Sequence, residues 1–195
     1  MDAETGLLKR KSESDTKLKL FISYSHQDNT ENRPFVKEFK KHLAPLKDNG
    51  SVEEWYDREI LGGDDFQEKI DNKLENADII CLFISANFLD SHPCLDEKRK
   101  ALEFRKMKGI PVVPIILSPC GWLDTDLKKI KAFPTDGKPI TSFTDRDTAW
   151  QDVYENLKRV INREHKLRRL ALRQPFKRFL DNAEIFTNAI HKKKL

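Results

Sequence analysis

The chain has 195 residues, 38% apolar and 35% charged, with a formal net charge of +4, enough for one core of ordinary size, so one domain with short tails is the default. No apolar run approaches the roughly 20 residues that a membrane-spanning helix needs, and the start, MDAETGLLKRKSESDTK, lacks the apolar centre of a signal peptide, so a cytoplasmic location is expected. Cys81, Cys94 and Cys120 are odd in number and lack metal-ligand spacing, which argues against a disulfide framework, a zinc site or any other metal.

The charge is uneven. From Arg163 onward ten Lys/Arg face three Asp/Glu, which leaves 26 against 29 in residues 1 to 162, so the whole basic excess lies in the tail. A tail of this kind is more often a solvated helix or linker than a nucleic-acid surface, and nucleic acid is not an expected partner of the domain.

Residues 1 to 16 are polar and aperiodic and are expected to be disordered. KLKLFIS, 17 to 23, alternates Leu18, Leu20 and Ile22 and runs into polar YSHQDN, a strand entering a loop. RPFVKEFKKHLAPL sets Phe35, Val36, Phe39, Leu43 and Leu46 on one helical face. After the turn KDNGS comes a short strand, VEEWYD, and then the glycine-containing loop DREILGGDDF, where Asp64 or Asp65 is placed to cap a helix bearing Phe66, Ile70 and Leu74.

ADIICLFIS is nearly continuous in apolar residues, the mark of a strand covered on both faces. A charged helix, SHPCLDEKRKALEF, follows, and then the strand IPVVPIIL, where Pro114 removes a ladder donor and predicts a bulge or an edge position. Beyond the PCGW loop, KPITSF is a candidate short strand. DTAWQDVYENLKRVI closes the domain as a helix with Trp150, Val153, Leu157, Val160 and Ile161 inward.

Strands alternating with helices imply an α/β fold, a parallel sheet covered by its crossovers. The sequence carries neither G-x-G-x-x-G after the first strand nor a P-loop. Five strands fit a flavodoxin-like order, 2-1-3-4-5, with helices on both faces and a basic C-terminal helical tail. In that order ligands sit beyond the carboxyl ends of strands one and three, here Ser23-Tyr24-Ser25 and Ser85-Ala86-Asn87, with Glu97 beside the same crevice.

FISYSHQD, WYDREILGGDDF, ADIICLFISANFLDSHPCLDE, IPVVPIILSPCGW and DGKPITSFTDRDTAWQDV, in this order and spacing, resemble a bacterial Toll/interleukin-1 receptor (TIR) domain over residues 17 to 162. The resemblance implies the same flavodoxin-like fold and either of two roles. Many members cleave NAD between nicotinamide and ribose, while others are scaffolds that work through TIR-TIR contacts. NAD would be a substrate, and no cofactor is implied. The family's catalytic glutamate, in the helix after the third strand, matches Glu97, three residues after Cys94. Two positions depart from the family pattern: Pro93 stands where an aromatic residue is common, and Gly62-Gly63 where Pro-Gly is usual.

The chemistry suits a single carboxylate. Nicotinamide leaves NAD neutral and needs no acid, so one negative side chain that stabilises an oxocarbenium-like ribose can suffice. Each candidate has a plainer alternative. Glu97 in a first helical turn could merely favour the helix dipole, a role given to Asp96. Ser23 and Tyr24 either contact NAD or simply end a strand. Asp57 and Arg58 either touch substrate or pair to hold their loop, and Cys94 is carried over with Glu97 as a substrate-binding position. Trp55 and Trp122 are read as packing residues, and His26 and His42 as exposed.

The tail, residues 163 to 195, places Leu167, Leu170 and Leu172 beside a second apolar group at Phe176, Phe179 and Leu180, which suggests contact with a C-terminal sensor domain or a partner protein. The resemblance further implies a homo-oligomer, with activity in defence or signalling switched on by assembly; if the Gly62-Gly63 loop must be ordered by a neighbouring copy, clustering would complete the pocket.

Overall fold

The computed structural model describes residues 17–56 and 66–192, with side chains for 17–54 and 69–171. Two units are distinguished, Met1–Ile161 and Asn162–Leu195.

Among the described residues the first unit has four parallel strands, β1 (Leu18–Ser23), β4 (Val52–Tyr56), β5 (Ile79–Ile84) and β6 (Val112–Ile116), in the spatial order β4-β1-β5-β6. Two very short strands, β2 (Asn29–Thr30) and β3 (Arg33–Pro34), form a separate antiparallel pair after β1. Every residue of β5 is buried, as its apolar run predicts for a strand with neighbours on both edges and helices on both faces. Ile22 pairs with Cys81, and Leu82 with Pro114.

On one face lie α1 (Phe35–Asp48) and the first part of α5 (Arg146–Lys192). All five residues predicted for the buried face of α1 are buried, and Trp150, Val153, Leu157 and Ile161 of α5 are fully enclosed; Val160 is partly covered. Phe39, Phe83 and Trp150 meet with ring centroids 5.3 to 5.9 Å apart, in the offset and edge contacts that aromatic quadrupoles favour. Just before α5, Asp145 accepts from the amides of Asp147 and Thr148 and from the Thr148 hydroxyl. Those bonds, the hydroxyl's first, hold its carboxyl below the usual range.

On the other face are α2 (Phe66–Glu75), α3 (Ala86–Asp90) and α4 (His92–Lys108). Ile70 and Leu74 of α2 are buried as predicted. Gly109, at φ +72°, ends α4 in the left-handed conformation that a side chain would disfavour, its amide bonded to the Arg105 carbonyl. Trp122 lies half-buried against this second core, in contact so close that a Cβ at Gly137 would meet its ring at 2.7 Å. That close contact is the packing role expected of Trp122.

The expected fifth strand is a correction. Ile140–Ser142 is a 3-10 turn, and the outer edge of β6 is met instead by Phe133, which donates to the Pro114 carbonyl and accepts from the Ile116 amide. The reason lies in Pro114. Leu117 points its amide to β5 and Ile116 points its amide outward, so by alternation Pro114's missing N–H also faces outward. The β5–β6 register runs unbroken from Ile80–Val112 to Ile84–Ile116. The edge, with a donor gone and its neighbours already bonded, supports a single bridge rather than a ladder.

In the second unit the helix backbone continues to Lys192, and Leu167 and Leu170 are exposed. Leu172 and the Phe176, Phe179 and Leu180 group lie outside the described side chains. The predicted disorder of residues 1 to 16 also falls outside the described residues. No helix among those residues is long and apolar enough to cross a membrane.

Candidate active site at the carboxyl ends of β1 and β5

Chain direction reverses its winding between β1 and β5, where crossovers leave toward opposite edges of the sheet, so the loops after these strands part and leave a crevice. A cleft of about 510 Å3 opens there. One wall is Tyr24 to Gln27, directly after β1. The other is Asn87, Asp90 and Ser91 to Cys94, with Glu97 and, from α2, Ile70.

The second wall follows from local capping. Ser85 follows β5 directly and caps α3, its Oγ accepting from the Phe88 amide at 3.0 Å. Ser91 then caps α4, accepting from the Cys94 amide at 3.5 Å, and Pro93 sits in the first turn, where its missing N–H costs nothing. From that start, Cys94, Glu97 and Ala101 fall at intervals of three and four and form the buried stripe of the helix. Glu97 is 7% exposed and Cys94 5%, yet both line the cleft.

Asp96 is a correction. The first turn of α4 contains no acid, because the helix begins at His92 and puts Asp96 in the second turn. There it is exposed and pairs with Arg99 at 2.9 Å. His42 is likewise not exposed as expected: it is half-buried against Asp147 at 3.2 Å.

Of the remaining predicted residues, Tyr24 lines the cleft. Ser23 does not. It is buried one residue behind the wall, with no hydrogen-bond partner for its Oγ among the described atoms. Asp57, Arg58 and the Gly62-Gly63 loop lie outside the described residues, as does the Trp55 side chain. Aromatic surface absent at Pro93 is present across the cleft, where the Tyr24 and His26 rings stand 5.7 Å apart.

Sequence reasoning missed Asp28. It is fully buried in a 3-10 turn (His26–Asp28), and its carboxylate accepts from Ser85 Oγ through Oδ2 and from Asn87 Nδ2 through Oδ1 at 2.9 Å, with Arg33 3.3 Å away. Also unforeseen as cleft residues were His26, Gln27, Asp90 and His92, which are exposed polar side chains without a periodic signal. No group of acids, histidines and cysteines able to hold a metal occurs among the described residues. A second concavity, about 480 Å3, lies over β2, β3 and α1, but Lys37 and Lys41 there are exposed and Glu38 is engaged by Trp150 Nε1 and Arg146.

A sequence profile described as TIR domain matches residues 20–160, most of the chain. The chain belongs to the TIR domain family. Among relatives of this TIR domain, an uncharacterized protein of Sinorhizobium fredii (strain NBRC 101917 / NGR234), y4lF, is 37% identical over 145 residues, 74% of this chain and 44% of that protein. A probable disease resistance protein of Arabidopsis thaliana, At4g19520, is 28% identical over 96 residues, 49% of this chain and 5% of that protein. The matched part thus spans less than half the length of either relative. In the order β4-β1-β5-β6 the cleft lies at the switch point between β1 and β5.

Proposed function

We propose that this TIR domain is an NAD nucleosidase that cleaves the bond between nicotinamide and ribose, with Glu97 as the catalytic residue. The observation that carries the reading is a glutamate only 7% exposed that nonetheless lines the switch-point cleft. A buried acid is costly unless it is compensated, so one facing a crevice large enough for a nucleotide moiety is a functional candidate.

In the reaction, the bond from ribose C1′ to the pyridinium nitrogen breaks with its electron pair passing to the ring, and nicotinamide departs neutral. Positive charge develops on the ribose. Glu97, as carboxylate, faces that charge from a side chain only 7% exposed, and such stabilisation is stronger away from bulk water. Water then adds at C1′ and releases a proton. His26, exposed at the cleft and backed by the buried Tyr24 ring, offers a ring face for a planar group, and Cys94, one turn before Glu97, shapes the wall beneath it.

Membership in the TIR family supports a further element of the proposal, association of copies through TIR-TIR contacts in defence or signalling. The deciding measurement is nicotinamide release from NAD by wild type beside Glu97→Gln, each at dilute and concentrated protein. Loss of about 10² to 10³ in rate is expected, the usual effect of deleting one electrostatic stabiliser, with specific activity rising on concentration. Equal rates from the two proteins would leave a docking module in which Glu97 has no chemical part.

A further inference from the structure

We propose that Asp28 is a positioning residue that holds both walls of the cleft in working register; its effect on turnover rests on the reading of Glu97 above, but its effect on cleft shape does not. Asp28 is fully buried and is not among the residues lining the cleft, so its route to the site runs through its neighbours and partners. Its neighbours in sequence, Tyr24 to Gln27, are one wall. Its hydrogen-bond partners reach the other: Asn87 lines the cleft, and Ser85 caps the helix that leads through Ser91 into α4, Cys94 and Glu97. Arg33, in β3 at the start of α1, meets the same carboxylate at 3.3 Å.

The chemistry requires an acid at this point. A carboxylate is acceptor-only, and three donors converge on it: a hydroxyl, a side-chain amide and a guanidinium. An asparagine of the same shape would turn an NH2 group toward at least one of those donors and give up the charge that compensates Arg33. Ser85 Oγ serves Asp28 as a donor while accepting from the Phe88 amide, so the carboxylate also orients the cap of α3. Removing the charge therefore loosens the cleft locally, while the sheet, held by apolar contacts, stays closed.

Two thiols report the difference. Cys94 lines the cleft. Cys81 is fully enclosed in the middle of β5, and burial pushes its thiol far up, so it reacts only when the domain opens as a whole. The experiment is peptide-resolved alkylation of Cys94 and Cys81 by iodoacetamide in wild type and Asp28→Asn, with nicotinamide release measured on the same samples. The expected result is Cys94 labelling faster by about tenfold or more, the scale of losing hydrogen bonds to a buried charge, with Cys81 unchanged within about twofold and turnover lower by about tenfold. Arg33→Met, which removes one partner from the half-exposed side, gives the same Cys94-selective change in smaller measure and serves if Asp28→Asn does not fold. Parallel acceleration of both thiols, or unaltered Cys94 labelling in the folded variants, overturns the proposal. Absence of nicotinamide release from wild type, with Cys94-selective labelling intact, sinks the enzymatic reading and leaves the role of Asp28 standing.

Discussion

Against one face of the sheet, α1 and α5 press Phe39, Phe83 and Trp150 into an apolar layer, whereas at the carboxyl ends of β1 and β5 and in the segments that follow them the chain buries Ser23, Ser25, Asp28, Ser85 and Glu97. Only Glu54 and Asn156 are buried polar residues away from that place among those described. Burying polar groups weakens a fold unless each finds a partner, so their gathering at one end of the sheet separates what holds the domain together from what it is built to do. The aromatic layer carries stability, and the polar end spends some of it.

The sharpest way to break this division is Trp150→Ala. The ring is fully enclosed, contacts Phe39 and Phe83, and donates to Glu38 at 2.9 Å. Chemical denaturation should show a loss of about 3 to 5 kcal/mol, typical of large aromatic truncations, while nicotinamide release per folded molecule is unaltered. Glu97→Gln is its mirror image. The rate loss expected above, about 10² to 10³, should come with stability held or slightly raised, since residues kept for function are commonly not those that stability favours. If Trp150→Ala depressed turnover in the folded protein as strongly as Glu97→Gln, the two ends of the sheet would not be separable.

Ser85→Ala tests the junction, where capping and cleft share one hydroxyl. It removes an acceptor from the Phe88 amide and a donor from Asp28, and thermal or chemical unfolding should register about 1 to 3 kcal/mol. A change below about 0.5 kcal/mol, the range of neutral surface substitutions, would mean that water or a neighbouring group substitutes readily and that the cluster is looser than its distances suggest.

The same division explains what could be read in advance. The aromatic layer was legible because burial there is periodic: Phe35, Val36, Phe39, Leu43 and Leu46 recur at helical spacing, and β5 is a continuous apolar run. Polar burial has no period. Asp28 sits in SHQDN, where nothing in the letters distinguishes a buried acid from its exposed neighbours His26 and Gln27. Glu97 was legible only through its place in a family motif, and its burial then follows from where α4 starts. KPITSF has strand-forming residues, but whether a strand forms depends on the edge it would join, and the loss of an outward donor at Pro114 is felt by a partner over 20 residues away in sequence. Asp57 and Arg58, outside the described residues, still stand as the sequence left them.

The smallest expected effect distinguishes two neighbours in the chain. Successive residues of a helix are rotated by about 100°, so with Cys94, Glu97 and Ala101 on the buried stripe of α4, Asp96 must face away, and it does, 58% exposed and paired with an Arg99 that is itself 65% exposed. An ion pair held in water at i and i+3 contributes about 0.5 kcal/mol or less. Asp96→Ala should therefore leave the melting transition nearly where it was and nicotinamide release within error of wild type. Both acids sit near the same pocket and carry the same charge, so a long-range field alone would let either serve, whereas stabilisation of a developing cation at the ribose depends on the carboxylate that faces it. A rate loss in Asp96→Ala comparable to that of Glu97→Gln would show that net negative charge near the cleft, rather than one directed side chain, drives bond cleavage.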